Sequence, residues 1–131
     1  LTGPGTNNDV SVPISKIPEL IDQSFDTLNH HLGESPLFIY GHVGDGNLHI
    51  TKNKPEVMDI EIFESKADDI TRAVNETAVE LGGSYSGEHG IGVVLKDDFM
   101  HFSDPIKIQL METIKRSIDP KNIMNPNKLI S

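Results

Sequence analysis

Apolar and polar residues along this chain alternate in short stretches and recur at helical spacing in longer ones. Asp9-Val10-Ser11-Val12 alternates and is β-prone, and Pro13 ends it, so a first strand is expected there. Ile17, Leu20, Ile21, Phe25, Leu28 and Leu32 follow at helical spacing, with Ser15 as N-cap, Pro18 in the first turn and Gly33 as the stop. Strands are expected near Leu37–Val43 and Asn47–Thr51. A second helix should run from about Met58 to Leu81, with a stripe of Phe63, Ala67, Ile70, Val74, Ala78 and Leu81, and Gly82-Gly83 beyond it. Ser84–Glu88 forms a short small-residue strand. Ser103 or Asp104 with Pro105 opens a third helix, whose Leu110, Met111, Ile114 and Ile118 should face inward before Asp119-Pro120 breaks it. Asn125-Pro126-Asn127-Lys128 is turn chemistry.

That order is the split βαβ, ferredoxin-like one: an α+β fold, βαββαβ, with an antiparallel sheet, helices on one face and an extra C-terminal helix. The hairpin decides where the chemistry lies. Asp45-Gly46 is a strong two-residue turn signal, since both turn positions of a type I′ turn need positive φ. With that loop Val43 pairs with Leu48 and His42 with His49, at a Cβ separation of about 4.5–5.5 Å. Alternation puts Phe38, Tyr40, His42, His49 and Thr51 on one face and Leu37, Ile39, Val43, Leu48 and Ile50 on the other. The second set is uniformly apolar and belongs to the core. The histidines lie on the face left over.

Length and composition narrow the class. At 131 residues the chain is expected to be one domain, short for an enzyme that must also hold a large cofactor. A formal charge of −9 with 11 Lys+Arg argues against nucleic acid and anionic membranes as partners, and no apolar run has the length for membrane insertion. The chain has no cysteine, so a metal site would use imidazole and carboxylate ligands. The opening Leu1–Asn8 reads as an entry loop, and the lack of an initiator Met suggests a piece of a longer protein. A cytoplasmic location is expected, or a mitochondrial one in a eukaryote.

His42 and His49 do not have a standard zinc spacing, and a surface or core-satisfied pair competes evenly with a metal pair until the cross-strand geometry is considered. Gly87-Glu88-His89-Gly90-Ile91-Gly92 lacks the order and the basic residue of a phosphate cradle, and its glycines also fit a tight bend. Together, His42, His49 and Glu88 would form a two-histidine, one-carboxylate set, with His89 as a base beside it. His30, His31 and His101 read as surface or helix-terminal residues.

Three motifs carry a resemblance: Gly41-His42-Val43-Gly44-Asp45-Gly46-Asn47-Leu48-His49, then Gly87-Glu88-His89-Gly90-Ile91-Gly92, then Asp119-Pro120 with Ile123-Met124-Asn125-Pro126-Asn127-Lys128. From Asp9 to Ile130 the chain resembles the C-terminal domain of FAD-linked oxidases, the group of D-lactate dehydrogenase, the glycolate oxidase FAD subunit and D-2-hydroxyglutarate dehydrogenase. The resemblance implies that His42, His49 and Glu88 bind zinc or a similar divalent ion, and that His89 is the base. It further implies that Asn125 lies toward FAD, which is bound mainly by a domain N-terminal to this segment. Thr51 and Asn7 take the substrate-binding places where the hydroxyglutarate enzymes carry Asn and Lys, which shifts the expected substrate toward lactate-like 2-hydroxy acids. Alone, the chain is expected to fold, to be inactive, and to self-associate, as a homodimer, through exposed Phe38 and Tyr40. Two other classes stay open: a free-standing metal-binding or hydrolytic domain, and a non-catalytic ferredoxin-like interaction module.

Overall fold

The computed structural model describes residues 3–130 and divides the chain into two compact units, Leu1–His89 and Gly90–Ser131. In the first, strand β1 (Gly5–Ser11), helix α1 (Ile17–Leu32), strands β2 (Leu37–Tyr40) and β3 (Asn47–Asn53), and helix α2 (Ile60–Glu80) follow in order. The sheet is antiparallel with β3 in the middle, in the order β1-β3-β2. The α+β class is therefore as expected.

One face of the sheet is the core. Val10, Leu48 and Ile50 are buried with Leu20 and Leu28 of α1 and Phe63, Ile70, Val74 and Ala78 of α2. Phe25, expected in the α1 stripe, is exposed instead. Buried Ser24 takes the inward place midway between Leu20 and Leu28, and one residue further turns Phe25 about 100° off that face. Ser15 lies in a short 3-10 turn, Ile14–Lys16, and does not cap α1. Asp59 does cap α2, accepting the Glu61 N–H at 2.8 Å. Two buried polar residues tie the layers. Asn8 donates to Thr71 O and Asn75 Oδ1, each at 2.8 Å, and Lys52 Nζ donates to Asn29 Oδ1 at 2.6 Å. Burial pushes the Lys52 ammonium below its ordinary pKa.

The expected first strand starts late, since Gly5–Asn8 are part of β1 rather than of an entry loop; Leu1 and Thr2 lie outside the described residues. The expected hairpin register is also corrected. Tyr40, not His42, stands opposite His49, and Phe38 stands opposite Thr51. β2 ends at Tyr40, and a 3-10 turn at Val43–Asp45 fills the connection, which leaves His42 off the sheet and Val43 exposed. The competing interaction is on β1's side: the Val12 N–H donates to Gly46 O at 3.0 Å and draws the loop toward that strand. The register error is two residues, an even number, so the side chains still on strands keep their expected faces.

The expected fourth strand is one bridge, Ser84 to Ser11, on β1's outer edge, followed by the Gly87 N–H donating to Asp9 O at 2.8 Å. Glycines and serines there offer no apolar side chain to anchor a longer strand. Among the described residues the sheet has three strands, without the fourth of a full ferredoxin-like sheet.

The second unit holds helices α3 (Lys96–Phe102) and α4 (Pro105–Ile118). Helix α3 was not expected. Asp104 caps α4, accepting the Ile106 N–H at 2.7 Å. Leu110, Ile114 and Ile118, expected to face inward, are exposed, and Met111 is half-buried. The Asp119 carboxylate holds the turn after α4, taking a hydrogen bond from Lys115 and the backbone N–H groups of Ile123 (3.0 Å) and Met124 (2.9 Å). Lys115 chiefly, with those N–H groups, holds its carboxyl below the ordinary carboxylate range against the opposing effect of burial. Asn122, Asn125 and Asn127 adopt the left-handed conformation that asparagine tolerates in turns. No helix among the described residues is long and apolar enough to cross a membrane.

Two outcomes are expected in the full-length protein. Gly46 has φ 72°, and a Cβ there would run into the Val12 carbonyl oxygen. Gly46→Ala should therefore cost about 2–4 kcal/mol in urea unfolding, the upper part of the range for single substitutions. The turn held by Asp119 should depend on pH. A carboxyl whose folded pKa is depressed stabilises above its unfolded value and ceases to as pH falls through the folded one. Hydrogen exchange should find the Ile123 and Met124 amides protected near pH 6, with that protection lost only once pH falls below the ordinary carboxylate range.

Candidate metal centre

The face of the sheet opposite the core carries the candidate site. Asp9 of β1, His49 of β3 and Tyr40 of β2 stand in one row across the three strands. Asn7, Thr51 and Phe38 form the next row. The segment that bridges to β1 at Ser84 brings Glu88 and His89 over the first row.

Glu88 lies at the centre. Its Oε1 is 3.2 Å from His49 Nε2 and 3.8 Å from His89 Nε2, and its Oε2 is 3.8 Å from His42 Nε2. His49, Glu88 and His89 offer ligand atoms that all lie within 4.8 Å of one another. His42 reaches the group from the Val43–Asp45 connection, on the other carboxylate oxygen. The His49 side chain is 12% exposed, whereas those of His42, Glu88 and His89 are open at 63%, 45% and 64%. One fixed imidazole is thus surrounded by three accessible donors.

Asp9 was missed as a site residue. Its side chain is only 9% exposed, and Oδ2 accepts the backbone N–H groups of Glu88 and His89 at 3.0 Å each. Oδ1 faces His49 Nδ1 at 3.5 Å, and Oδ2 faces His89 Nδ1 at the same distance. Burial alone would raise the Asp9 pKa, but the two N–H bonds and the neighbouring imidazoles outweigh it and hold the carboxyl below its ordinary range. It is an anion at neutral pH. The sequence signal was its alternation with Val10, which becomes informative only once β1 is known to pair with β3.

Gly87 has no room for a side chain, because a Cβ would stand 2.5 Å from Asp9 Oδ1 and 2.7 Å from Asn47 Oδ1. Both of these buried oxygens lack a hydrogen bond. The His49 ring lies 5.4 Å from that of His89, near-parallel, and 5.2 Å from that of Tyr40. Thr51 Oγ1 donates to Asn7 Oδ1 at 2.9 Å, so the two expected substrate-binding residues form one neutral polar pair beside His49. Asn125 belongs to the second unit, in the turn after α4.

The donor set fits a divalent ion. Imidazole nitrogen and carboxylate oxygen are what zinc and similar ions take in a cysteine-free site. Ligand atoms on one such ion, at about 2.0–2.2 Å from it, fall roughly 3–3.5 Å apart. The contact of His49 with Glu88 already has that spacing; His42 lies 3.8 Å from the other carboxylate oxygen and falls outside the cluster of mutually close ligand atoms that His49, Glu88 and His89 form.

The chain is 35% identical over 124 residues to D-2-hydroxyglutarate dehydrogenase of Stutzerimonas stutzeri, covering 95% of this chain and 27% of that protein. It is 38% identical over 122 residues to D-lactate dehydrogenase of Archaeoglobus fulgidus, covering 93% and 26%. With the probable mitochondrial D-lactate dehydrogenase of Danio rerio the identity is 33% over 129 residues, covering 95% and 24%. The chain spans about a quarter of the length of these curated relatives. Residues 3–129 match the family described as FAD linked oxidases, C-terminal domain, and the chain belongs to that family.

Proposed function

We propose that this chain is the substrate- and metal-binding domain of a larger FAD-dependent D-2-hydroxy-acid dehydrogenase, which converts a 2-hydroxy acid to the 2-oxo acid. The observation that carries the reading is the Glu88 carboxylate set among His42, His49 and His89 on the sheet face away from the core. Its partners are the small acid and the FAD-binding domain of the same protein, with Asn125 toward the cofactor. The compartment is the cytoplasm, or the mitochondrion in a eukaryote.

His42, His49 and Glu88 hold the ion, with zinc the leading choice. His42 and His49 approach different oxygens of the Glu88 carboxylate, and His89, whose Nε2 lies 3.8 Å from the oxygen that faces His49, is assigned as the base rather than as a third imidazole ligand. When bound, the ion acidifies a hydroxyl placed against it and FAD accepts a hydride. The chain's own task is to orient the acid and to move one proton. His89 Nε2 takes the hydroxyl proton, which needs an imidazole with a free lone pair there. Its ring is accessible from the open side, where the acid enters. Thr51 and Asn7 meet the substrate's side chain with neutral hydrogen-bonding groups, and Phe38 and Tyr40 add exposed aromatic surface beside them. That lining favours lactate-like acids over those with a second carboxylate.

Purified full-length protein should contain about one divalent ion per chain, and His42→Ala or Glu88→Gln should remove most of it. His89→Asn should keep the ion and slow turnover of D-lactate by about 10²–10⁴-fold, the usual worth of a positioned base. Loss of the ion in His89→Asn with retention in His42→Ala would make His89 a ligand and move the base elsewhere. D-lactate should have a higher kcat/KM than D-2-hydroxyglutarate, and the reverse order would reject the substrate preference.

A further inference from the structure

A neutral imidazole carries one N–H and one lone pair, and the partner of one nitrogen decides which nitrogen keeps the proton. An ionised carboxylate can only accept. We propose that Asp9 is the positioning residue of this site, fixing His49 and His89 together as the Nδ1–H tautomer so that each presents its Nε2 lone pair toward Glu88. The inference rests on the ligand and base roles given above and adds a residue to them.

The geometry separates the work of the two oxygens. Oδ2 is pinned by the backbone N–H groups of Glu88 and His89, at 3.0 Å each, which fixes the plane of the carboxylate on β1. Oδ1 is buried and accepts no hydrogen bond, yet it faces His49 Nδ1 at 3.5 Å. His89 Nδ1 lies 3.5 Å from Oδ2. A closure of about 0.5 Å brings either contact to hydrogen-bond length, and such bonds are often long until ligand is present. The two rings stack near-parallel at 5.4 Å, so one carboxylate addresses the same edge of both.

The opposite edges then follow. With Nδ1–H directed at Asp9, His49 Nε2 points a lone pair at Glu88 Oε1 from 3.2 Å. Two acceptors at that separation repel, which the half-exposed Glu88 side chain relieves by rotating away in metal-free protein and a cation between them would relieve in a filled site. Asp9 thereby makes the edge facing Glu88 electron-rich, as ligand and base both require. A carboxylate behind a ligating histidine commonly adds 10–100-fold to metal affinity.

Asp9→Asn is a selective probe. Its amide oxygen can still accept the Glu88 and His89 N–H groups, while its NH₂ replaces the acceptor that faces His49. Histidine-selective ¹⁵N labelling of the metal-free full-length protein, about two pH units above the ordinary imidazole pKa, reads the tautomer directly. The parent should show Nδ1–H at both His49 and His89, and Asp9→Asn should show Nε2–H at His49. Zn²⁺ affinity by competition with a chelator should fall by about 10–100-fold in the variant. An Nε2–H tautomer at His49 in the parent overturns the proposal, and so does Nδ1–H retained in a folded variant. If the variant does not fold, the parent spectrum decides. A parent that binds no Zn²⁺ would defeat the metal reading, while the tautomer would still judge the role of Asp9.

Discussion

The antiparallel pairing of Asp9 with His49 across β1 and β3 is the constraint from which the site follows. It places a carboxylate and an imidazole side by side on a rigid sheet, with Tyr40 of β2 on the other flank. The carboxylate then gathers the chain some eighty residues later by accepting the N–H groups of Glu88 and His89. Without that acceptor the Gly87–His89 segment would keep its bridge at Ser84 and the Gly87 bond to Asp9 O but lose the two bonds that fix the Glu88 and His89 backbone. The backbone carbonyl of Asp9 positions the loop, and its side chain aims what the loop carries.

A site held to a fraction of an ångström needs a platform that does not yield. Here it comes from the reverse face, where Val10, Leu48 and Ile50 pack against both helices. Each strand residue that serves the site is the immediate neighbour of one that serves the core: Asp9 beside Val10, His49 between Leu48 and Ile50. Moving either strand by one residue would bury the carboxylate and expose the apolar set, so the core fixes the register of the chemistry.

This coupling explains what was legible from the sequence. Alternation alone assigns the faces of residues 37–40 and 47–51, and periodicity with caps or stops locates α1, α2 and α4. His49, Glu88 and His89 are recognisable because glycines and histidines fall in distinctive motifs, and they meet in space. The connection Gly41–Gly46 was not legible. A two-residue turn at Asp45-Gly46 is favourable locally, but the hydrogen bond from Val12 to Gly46 is non-local and outweighs it. Asp9 was illegible for a related reason: an acidic residue in an alternating strand looks like ordinary solvent-facing polarity until its cross-strand partner is known. The exposed stripe of Leu110, Ile114 and Ile118 shows the opposite limit, since helical periodicity defines an apolar face but not what covers it.

Charge gives the last link between architecture and chemistry. Asp9 and Glu88 bring two carboxylates to one face, and their ionic partners are imidazoles rather than lysine or arginine. Neutral imidazoles leave that face with a formal charge near −2, on a chain whose net charge is −9. A 2-hydroxy acid is itself an anion and would be repelled there. Under the proposed function, a divalent cation among Glu88, His42 and His49 would cancel the two carboxylates and leave a neutral surface. On that proposal, binding an anionic substrate and holding a cation would be one requirement on this face, which neutral imidazoles would meet as ligands that add no charge.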